Sequence, residues 1–289
     1  MCMKSSESLQ RRNESNVRYT RQGEQGLMTA EPRPDVASRD AVCVRDADAT
    51  GDFVVVCDHA SNHLPAEFGS LGLPESELFR HIAWDPGAAG VARGLASLLG
   101  SPLVESCVSR LVIDCNRPLD APDLIAQISE TTVIPGNQGL DEAARARRIA
   151  ASHAPFHDAL GALIDRRLAA GRACNVVTVH SFTPVYRGVA RPWEIGVIHD
   201  EDERLSRPLV EALRRQGGIT VGDNEPYSPA DRVYYTLERH ARRRGLPCVM
   251  IEIRNDEIAT PADERRWAEL LAPALVQAAQ AGEVVRAAS

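Results

Sequence analysis

The chain has 289 residues, of which 44% are hydrophobic and 25% charged, a composition typical of a globular protein with a sizeable core. Acidic residues outnumber basic ones by 40 to 33, which disfavours nucleic-acid binding because such proteins usually carry a basic face. No stretch approaches the roughly 18 apolar residues of a membrane span, and the seven cysteines show no CxxC spacing. We therefore expect no membrane partner, no structural zinc site, and the reducing cytoplasm as the compartment.

Residues 1–38 are polar and contain few apolar side chains, a composition that predicts a disordered tail. The first 26 residues contain no apolar run that would suggest a secretory signal. Residues 39–289 are predicted to form a single domain.

From about Ala41 onward, short apolar runs alternate with segments of helical spacing. The runs are rich in β-branched residues, as expected of strands that are buried on both faces. The predicted strands are 53–57, 109–115, 175–180, 193–200 and 246–254. The predicted helices are 78–100, 142–171, 204–217, 231–245 and 264–282. This alternation predicts an α/β fold with three layers, in which helices cover both faces of a mixed but mostly parallel sheet.

Four predicted strands run directly into polar clusters. The clusters are residues 58–63, 116–117, 180–183 and 252–256. Ligands of open α/β sheets bind at the carboxyl ends of the strands. The four clusters therefore predict one shared active site at that edge.

His59 and His180 each lie at the end of a predicted strand and indicate a metal site. Neutral imidazole is a common zinc ligand, and a catalytic zinc site has three protein ligands and one open position. A single histidine at a strand end is more often structural. Two histidines at strand ends beside carboxylates favour a metal site. Because His59 and His180 are far apart in sequence, their proximity depends on the predicted fold.

Glu252 follows an apolar run, so that its carboxylate would reach the same pocket. A carboxylate beside a metal-bound water can act as a general base and then as an acid. The alternative is a structural salt bridge with Arg254.

Arg110 and Arg117 lie near the two ends of the predicted strand 109–115. The planar guanidinium suits bidentate recognition of a carboxylate, and a second arginine can polarise a carbonyl or hold an oxyanion. The alternative is pairing at the surface with Asp114 or Asp120.

Four other histidines and two cysteines are expected to have structural roles. His81, His153, His157 and His240 lie on predicted helices, where roles on a helix face or in the core are expected. Cys57 and Cys115 are expected to be small buried side chains, because no histidine–acid arrangement that would activate a thiolate is evident.

Eight sequence blocks in register resemble the N-formylglutamate amidohydrolase family over about residues 52 to 275. The blocks are CDHASNHLP, HIAWDPGA, SRLVIDCNRP, VIPGN, HSFTP, RPWEIGV, DNEPYS and IEIRND. That family is similar in fold to the zinc carboxypeptidases and the aspartoacylases. The resemblance therefore implies a zinc-carboxypeptidase-like fold.

The resemblance also implies roles for particular residues. His59 and His180 would bind Zn²⁺ or another divalent metal, Arg110 would stabilise the oxyanion, and Glu252 would handle the proton. Asn116 and Arg117 would grip the substrate carboxylate.

The third metal ligand departs from the carboxypeptidase pattern, which has a glutamate three residues after the first histidine where this chain has Asn62. Asp85 is the predicted replacement, and Asp58 is the alternative. Asn62 is instead assigned to substrate or to a ligand's second nitrogen, and Arg254 is assigned to substrate binding.

The predicted function is hydrolysis of an acidic N-acyl amino acid, most simply N-formyl-L-glutamate to formate and L-glutamate. One alternative keeps the mechanism and changes the acyl group or the amino acid. Another is a non-catalytic binder of carboxylated metabolites. The sequence is compatible with a monomer or a homo-oligomer.

Overall fold

The computed structural model describes residues 41–288, with side chains through Gly282. The predicted tail at residues 1–38 lies outside this part of the chain, so the tail and the domain boundary stay predictions.

Strands in the described chain form a central sheet and two short hairpins. They are β1 (Val42–Arg45), β2 (Phe53–Cys57), β3 (Leu103–Ser106), β4 (Ile128–Ser129), β5 (Thr132–Val133), β6 (Asn175–Phe182), β7 (Val185–Tyr186), β8 (Val189–Ala190), β9 (Ile195–Ile198), β10 (Val221–Asp223) and β11 (Cys248–Arg254). The hairpins pair β4 with β5 and β7 with β8.

The central sheet has seven strands in the order β1-β3-β2-β6-β11-β9-β10. Strands β3, β2, β6 and β11 are parallel to one another. Strand β1 is antiparallel to β3, and β9 is antiparallel to β11 and parallel to β10. The prediction of a mixed, mostly parallel sheet is therefore confirmed. The carboxyl ends of β2, β6 and β11 meet at one edge.

Helices cover both faces of the sheet. They are α1 (Glu75–Leu78), α2 (Ala88–Leu98), α3 (Glu142–Arg148), α4 (Ala154–Ala169), α5 (Ser206–Gln216), α6 (Tyr235–His240) and α7 (Pro261–Ala288). A π-helical turn, Ile149–His153, joins α3 to α4. No helix in residues 41–288 is both long and apolar enough to cross a membrane.

Successive residues of β2 face opposite layers, as the alternation of side chains along a strand requires. Val55 packs in a core with α2, α5 and α7. Val54 and Val56 pack in a second core with α4 and α6. Because both faces are buried, the strand sequence is apolar throughout. The three-layer architecture is confirmed.

The prediction of a strand at residues 109–115 is wrong. This segment forms consecutive buried turns, and the strand lies earlier, at Leu103–Ser106. Val112 and Ile113, from the segment 109–115, pack with Leu124 in a separate small core. Periodicity cannot distinguish a buried strand from an apolar segment that packs beneath a loop.

The predicted helix 78–100 is also shorter than expected, because α2 begins only at Ala88. Pro86 disfavours helical backbone at Asp85, and Gly87 has a φ of 80°, in the left-handed region. His81 therefore lies in a turn and not on a helix. Within the predicted helix 231–245, only Tyr235–His240 is α-helical, followed by a short 3₁₀ turn at Arg242–Arg244.

Candidate active site

A cavity of about 280 Å³ opens at the edge of the sheet where β2, β6 and β11 end. Its polar lining includes most of the predicted site residues. These are His59, Asp85, Arg110, Asn116, Arg117, His180 and Glu252. The structure thus brings together residues that are almost 200 positions apart in sequence.

His59, Asp85 and His180 present one ligand atom each within 4.8 Å of one another, and all three residues are buried. Oδ2 of Asp85 lies 3.2 Å from Nδ1 of His59 and 2.9 Å from Nδ1 of His180. The Asp85 backbone N–H donates to the carbonyl of His59 at 3.0 Å. The turn before α2 therefore holds the predicted third ligand beside the two histidines.

The outer nitrogen of each histidine faces a further carboxylate. Nε2 of His59 lies 2.7 Å from Oδ1 of Asp114, and Nε2 of His180 lies 3.1 Å from Oδ2 of Asp58. A carboxylate on the far nitrogen is the usual way in which a protein orients a metal-binding imidazole. Asp58, the alternative third ligand, therefore lies behind His180, while Asp85 lies on the inner side.

The charges of this cluster depend on its burial. Burial would lower the pKa values of His59 and His180, but the surrounding carboxylates outweigh it and hold both above the ordinary value. Burial would raise the pKa of Asp85, and the two histidines instead hold it far below the usual range.

The cluster has an excess of buried negative charge. Asp58, Asp85 and Asp114 surround the two imidazoles, and among the described residues Arg110 alone pairs a guanidinium with this group. Such an excess favours either protonated imidazoles or a bound cation. Two nitrogens and one carboxylate oxygen are a donor set that Zn²⁺ commonly takes, so the residues fit a divalent metal.

Glu252 lies opposite His180 in the pairing of β11 with β6. The residue is only 5% exposed, and Oε2 has no hydrogen-bond partner among the described residues. Burial raises the pKa of this carboxyl to about 7, with Asp85 adding to the effect and the histidines opposing it. A carboxyl with this pKa can both accept and return a proton near neutral pH.

Arg110 and Arg117 both line the cavity, but they differ in their partners. Arg110 pairs with Asp114 at 2.6 Å and Asp85 at 3.4 Å. Arg117 donates from Nε to Asp123 at 2.8 Å. Nη1 of Arg117 also donates to the carbonyl of Asn116 at 3.0 Å. Because about half of the Asp123 side chain is exposed, the pair with Asp123 is weakened by solvent, and within residues 41–282 no contact takes up Nη2, which is left for a ligand.

Asn116 lies beside the cavity with its side-chain amide already engaged. Its Oδ1 accepts the backbone N–H of Thr236 at 3.0 Å, and its Nδ2 donates to the carbonyl of Val233. Asn116 and Arg117 also do not end a strand, because residues 109–115 form turns.

Two predicted substrate-binding residues, Asn62 and Arg254, are not part of the cavity wall. Nδ2 of Asn62 donates to the carbonyl of Leu78 at 2.9 Å. Arg254 pairs with Asp256 at 2.7 Å and Glu257 at 3.2 Å. The structural salt bridge with Arg254, the alternative role of Glu252, is therefore not formed.

Tyr227 lines the cavity and received no role from the sequence. Arg191, 9% exposed, donates to its hydroxyl at 3.1 Å and lies over its ring at 4.9 Å. Burial raises the pKa of Tyr227 to about 12, and Glu252 adds to this effect. Both residues fall in sequence blocks that carry the family resemblance, which was the only available signal.

Comparisons with known proteins identify the family of the chain. The family model for N-formylglutamate amidohydrolase matches residues 51–259. A crystal structure of a gene product from Agrobacterium tumefaciens is 45% identical, with a TM-score of 0.82, and the match covers 86% of this chain and 97% of that chain. No curated protein matches the chain.

A more distant solved structure, the N-formylglutamate amidohydrolase from Ralstonia eutropha, shares the fold. It is 20% identical, with a TM-score of 0.61, and the match covers 87% of this chain and 100% of that chain. Because the family model covers most of its length, the chain belongs to the N-formylglutamate amidohydrolase family and is a hydrolase acting on linear amide bonds. The alternative of a non-catalytic binder is therefore set aside.

Proposed function

We propose that this member of the family is a metal-dependent enzyme that hydrolyses N-formyl-L-glutamate to formate and L-glutamate. The observation that carries the proposal is the convergence of three buried donor atoms, from His59, Asp85 and His180, in the same cavity as Glu252. These features supply a metal site and a proton acceptor, which are the two parts that hydrolysis of an unactivated amide needs.

His59, Asp85 and His180 would hold the divalent ion. When bound, the ion supplies Lewis-acid activation of the acyl carbonyl and of a water molecule. Asp114 and Asp58 keep the outer imidazole nitrogens oriented, so that the Nδ1 atoms stay directed at the site.

Glu252 would move the proton of the reaction. Its carboxylate accepts a proton from the attacking water, whose oxygen adds to the formyl carbon. The C–N bond then breaks, and Glu252 returns the proton to the nitrogen of glutamate, so that formate and the free amino acid leave. Arg110, at the cavity wall beside Asp85 and Asp114, would donate to the carbonyl oxygen as it gains charge.

Arg117 would bind a carboxylate of the substrate. Its side chain is 11% exposed and lines the cavity, where a charge-assisted bidentate pair is stronger than a neutral hydrogen bond. Asn116, whose amide is engaged by Thr236 and Val233, would fix the backbone that carries Arg117.

Metal analysis of the purified protein is the first test. We expect about one divalent ion per chain, and we expect His59→Ala and His180→Ala each to lose most of it, because each removes one of three protein ligands. His81→Ala is the matched control, since His81 lines the same cavity outside the ligand cluster. If either ligand variant keeps a full complement of metal and full activity, this site is not the metal centre.

The substrate is tested by release of the free amine from N-formyl, N-acetyl and N-succinyl forms of glutamate, aspartate and alanine. We expect the highest kcat/KM with N-formyl-L-glutamate. A clear preference for a larger acyl group would identify a deacylase with the same mechanism and a different substrate.

A further inference from the structure

The backbone of residues 115–117 lies beside the cavity without the hydrogen bonds of a sheet. These residues are in turns, and Cys115 and Asn116 are at most 2% exposed. A buried carbonyl outside a strand or helix needs another donor, because leaving it unpaired costs free energy.

Imidazole groups supply two of these donors. Nε2 of His157 donates to the carbonyl of Cys115 at 2.9 Å, and Nε2 of His153 donates to the carbonyl of Arg117 at 3.0 Å. The two carbonyls lie on either side of Asn116.

A third histidine fixes the arrangement of protons. Because a carbonyl can only accept, His157 must carry its proton on Nε2, which leaves Nδ1 as an acceptor. Nε2 of His240 lies 2.9 Å from that atom and must donate to it. The direction of the chain is therefore set, from His240 through His157 to Cys115.

The surroundings keep these rings neutral. Burial lowers the pKa of His157 to about 2 and that of His240 to about 4, and it also lowers the pKa of His153. Each ring therefore carries a single N–H: His240 and His157 use theirs in the chain to Cys115, and His153 uses its own on the carbonyl of Arg117. The ring of Tyr235 packs against His153 and His157 at centroid distances of 5.9 and 5.3 Å.

We propose that His153, His157 and His240 form an imidazole clamp on the backbone around Asn116 that positions Arg117 for the substrate carboxylate. The proposal rests on the substrate-binding role of Arg117 proposed above. None of the three histidines lines the cavity, so each would be a positioning residue and not a catalytic one.

The secondary structure around the clamp supports a positioning role. His153 and His157 are four residues apart, where the π-helical turn passes into α4, and π-helical turns often occur at functional sites. The backbone N–H of Thr236 also donates to the Asn116 amide, and the Thr236 hydroxyl donates to Asp58, which lies behind His180. Helix α6 thus carries both His240 of the clamp and Thr236, which binds the Asn116 amide, and it links residues 115–117 to Asp58 of the metal cluster.

Three variants of His153 test the clamp in the full-length enzyme. Glutamine can place an N–H near the position of Nε2, whereas asparagine is too short and leucine has no donor. We expect His153→Leu and His153→Asn to raise KM for N-formyl-L-glutamate about tenfold, with kcat within about threefold and metal content unchanged. We expect His153→Gln to restore most of the affinity.

A substrate without a carboxylate separates positioning from general damage. For a formylated alkyl amine, kcat/KM should be the same in wild type and in all three variants, because Arg117 has no partner there. An unchanged KM in His153→Asn, or an equal loss for charged and uncharged substrates, would overturn the clamp. If His153→Leu fails to fold, the comparison of asparagine with glutamine decides the question.

The same variants distinguish failure of the clamp from failure of the proposed function. If the wild type hydrolyses none of the N-acyl amino acids, the function is wrong whatever the variants do. Calorimetric binding of L-glutamate then tests the clamp by itself: weaker binding to His153→Asn than to His153→Gln supports it, and equal or absent binding overturns it.

Discussion

Glu252 combines a buried carboxyl, a pKa raised to about 7 and an oxygen without a hydrogen-bond partner among the described residues. Glu252→Gln preserves the shape of the side chain while removing its ability to accept a proton. We expect the variant to fold, to keep its metal and to lose roughly 10²- to 10⁴-fold in kcat, the usual contribution of a general base. Near-normal turnover would make Glu252 a structural residue.

Arg117 offers a fixed cation at the cavity wall. Arg117→Lys keeps the charge but not the planar fork, so we expect kcat/KM for N-formyl-L-glutamate to fall by about tenfold or more. Arg254→Lys is the matched control, because Arg254 lies outside the cavity wall and pairs with Asp256 and Glu257. A wild-type enzyme that treats charged and uncharged acyl compounds alike would rule out this role.

At the scale of the elements, the turn before α2 determines where Asp85 lies. Gly87 has a φ of 80°, and a Cβ there would overlap the carbonyl oxygen and side chain of Ile258, just beyond β11. We expect Gly87→Ala to lower the free energy of unfolding by roughly 3 kcal/mol, since strain and overpacking add. We also expect weaker metal retention, because Asp85 is two residues away.

Gly100→Ala is the control for Gly87→Ala. Gly100 also has a positive φ, 56°, but a Cβ there would meet no atom within 4 Å, so only the backbone strain of about 1–2 kcal/mol remains. Urea unfolding and metal analysis of both variants provide the comparison. Equal losses would show that the contact with Ile258 does not hold the turn.

The elements also show which parts of the site the sequence could predict. His59, His180 and Glu252 lie in or just after strands whose β-branched apolar runs are distinctive, so their convergence followed from the rule for parallel sheets. Asp114 orients His59 from a segment that only resembles a strand. Its contact depends on turns held by distant partners, which local periodicity does not encode.

The histidines show the same limit. The helical spacing of His153 and His157 was evident, but their role depends on a π-helical turn and on the carbonyls of Cys115 and Arg117, at the end of and just after a segment wrongly predicted as a strand. Arg254 and Asn62 were assigned to substrate from their neighbours in sequence, whereas their side chains bind other partners. Strand ends were therefore predictable, and the side-chain partners inside the loops were not.

At the scale of the whole molecule, the buried neutral histidines make stability depend on pH. The pKa of His240 is about 4 in the folded protein and about 6.5 when the chain unfolds. Between these values the unfolded chain binds more protons, so the free energy of unfolding falls as the pH decreases, by up to about 1.4 kcal/mol per pH unit for each such group. This part of the stability is fully present above pH 6.5 and is lost progressively toward pH 4.

Comparison with a variant separates this effect from that of the metal cluster. The pKa values of His59 and His180 are raised, so their contribution to stability changes with pH in the opposite direction. His240→Gln keeps an N–H for His157 but does not titrate, so the cluster contributes equally to both proteins. From urea unfolding at pH 7.5 and pH 5.0, we expect the wild type to lose about 2 kcal/mol more than the variant, as integrating the linkage between those pKa values gives. Parallel losses would mean that His240 is not held neutral in the folded protein.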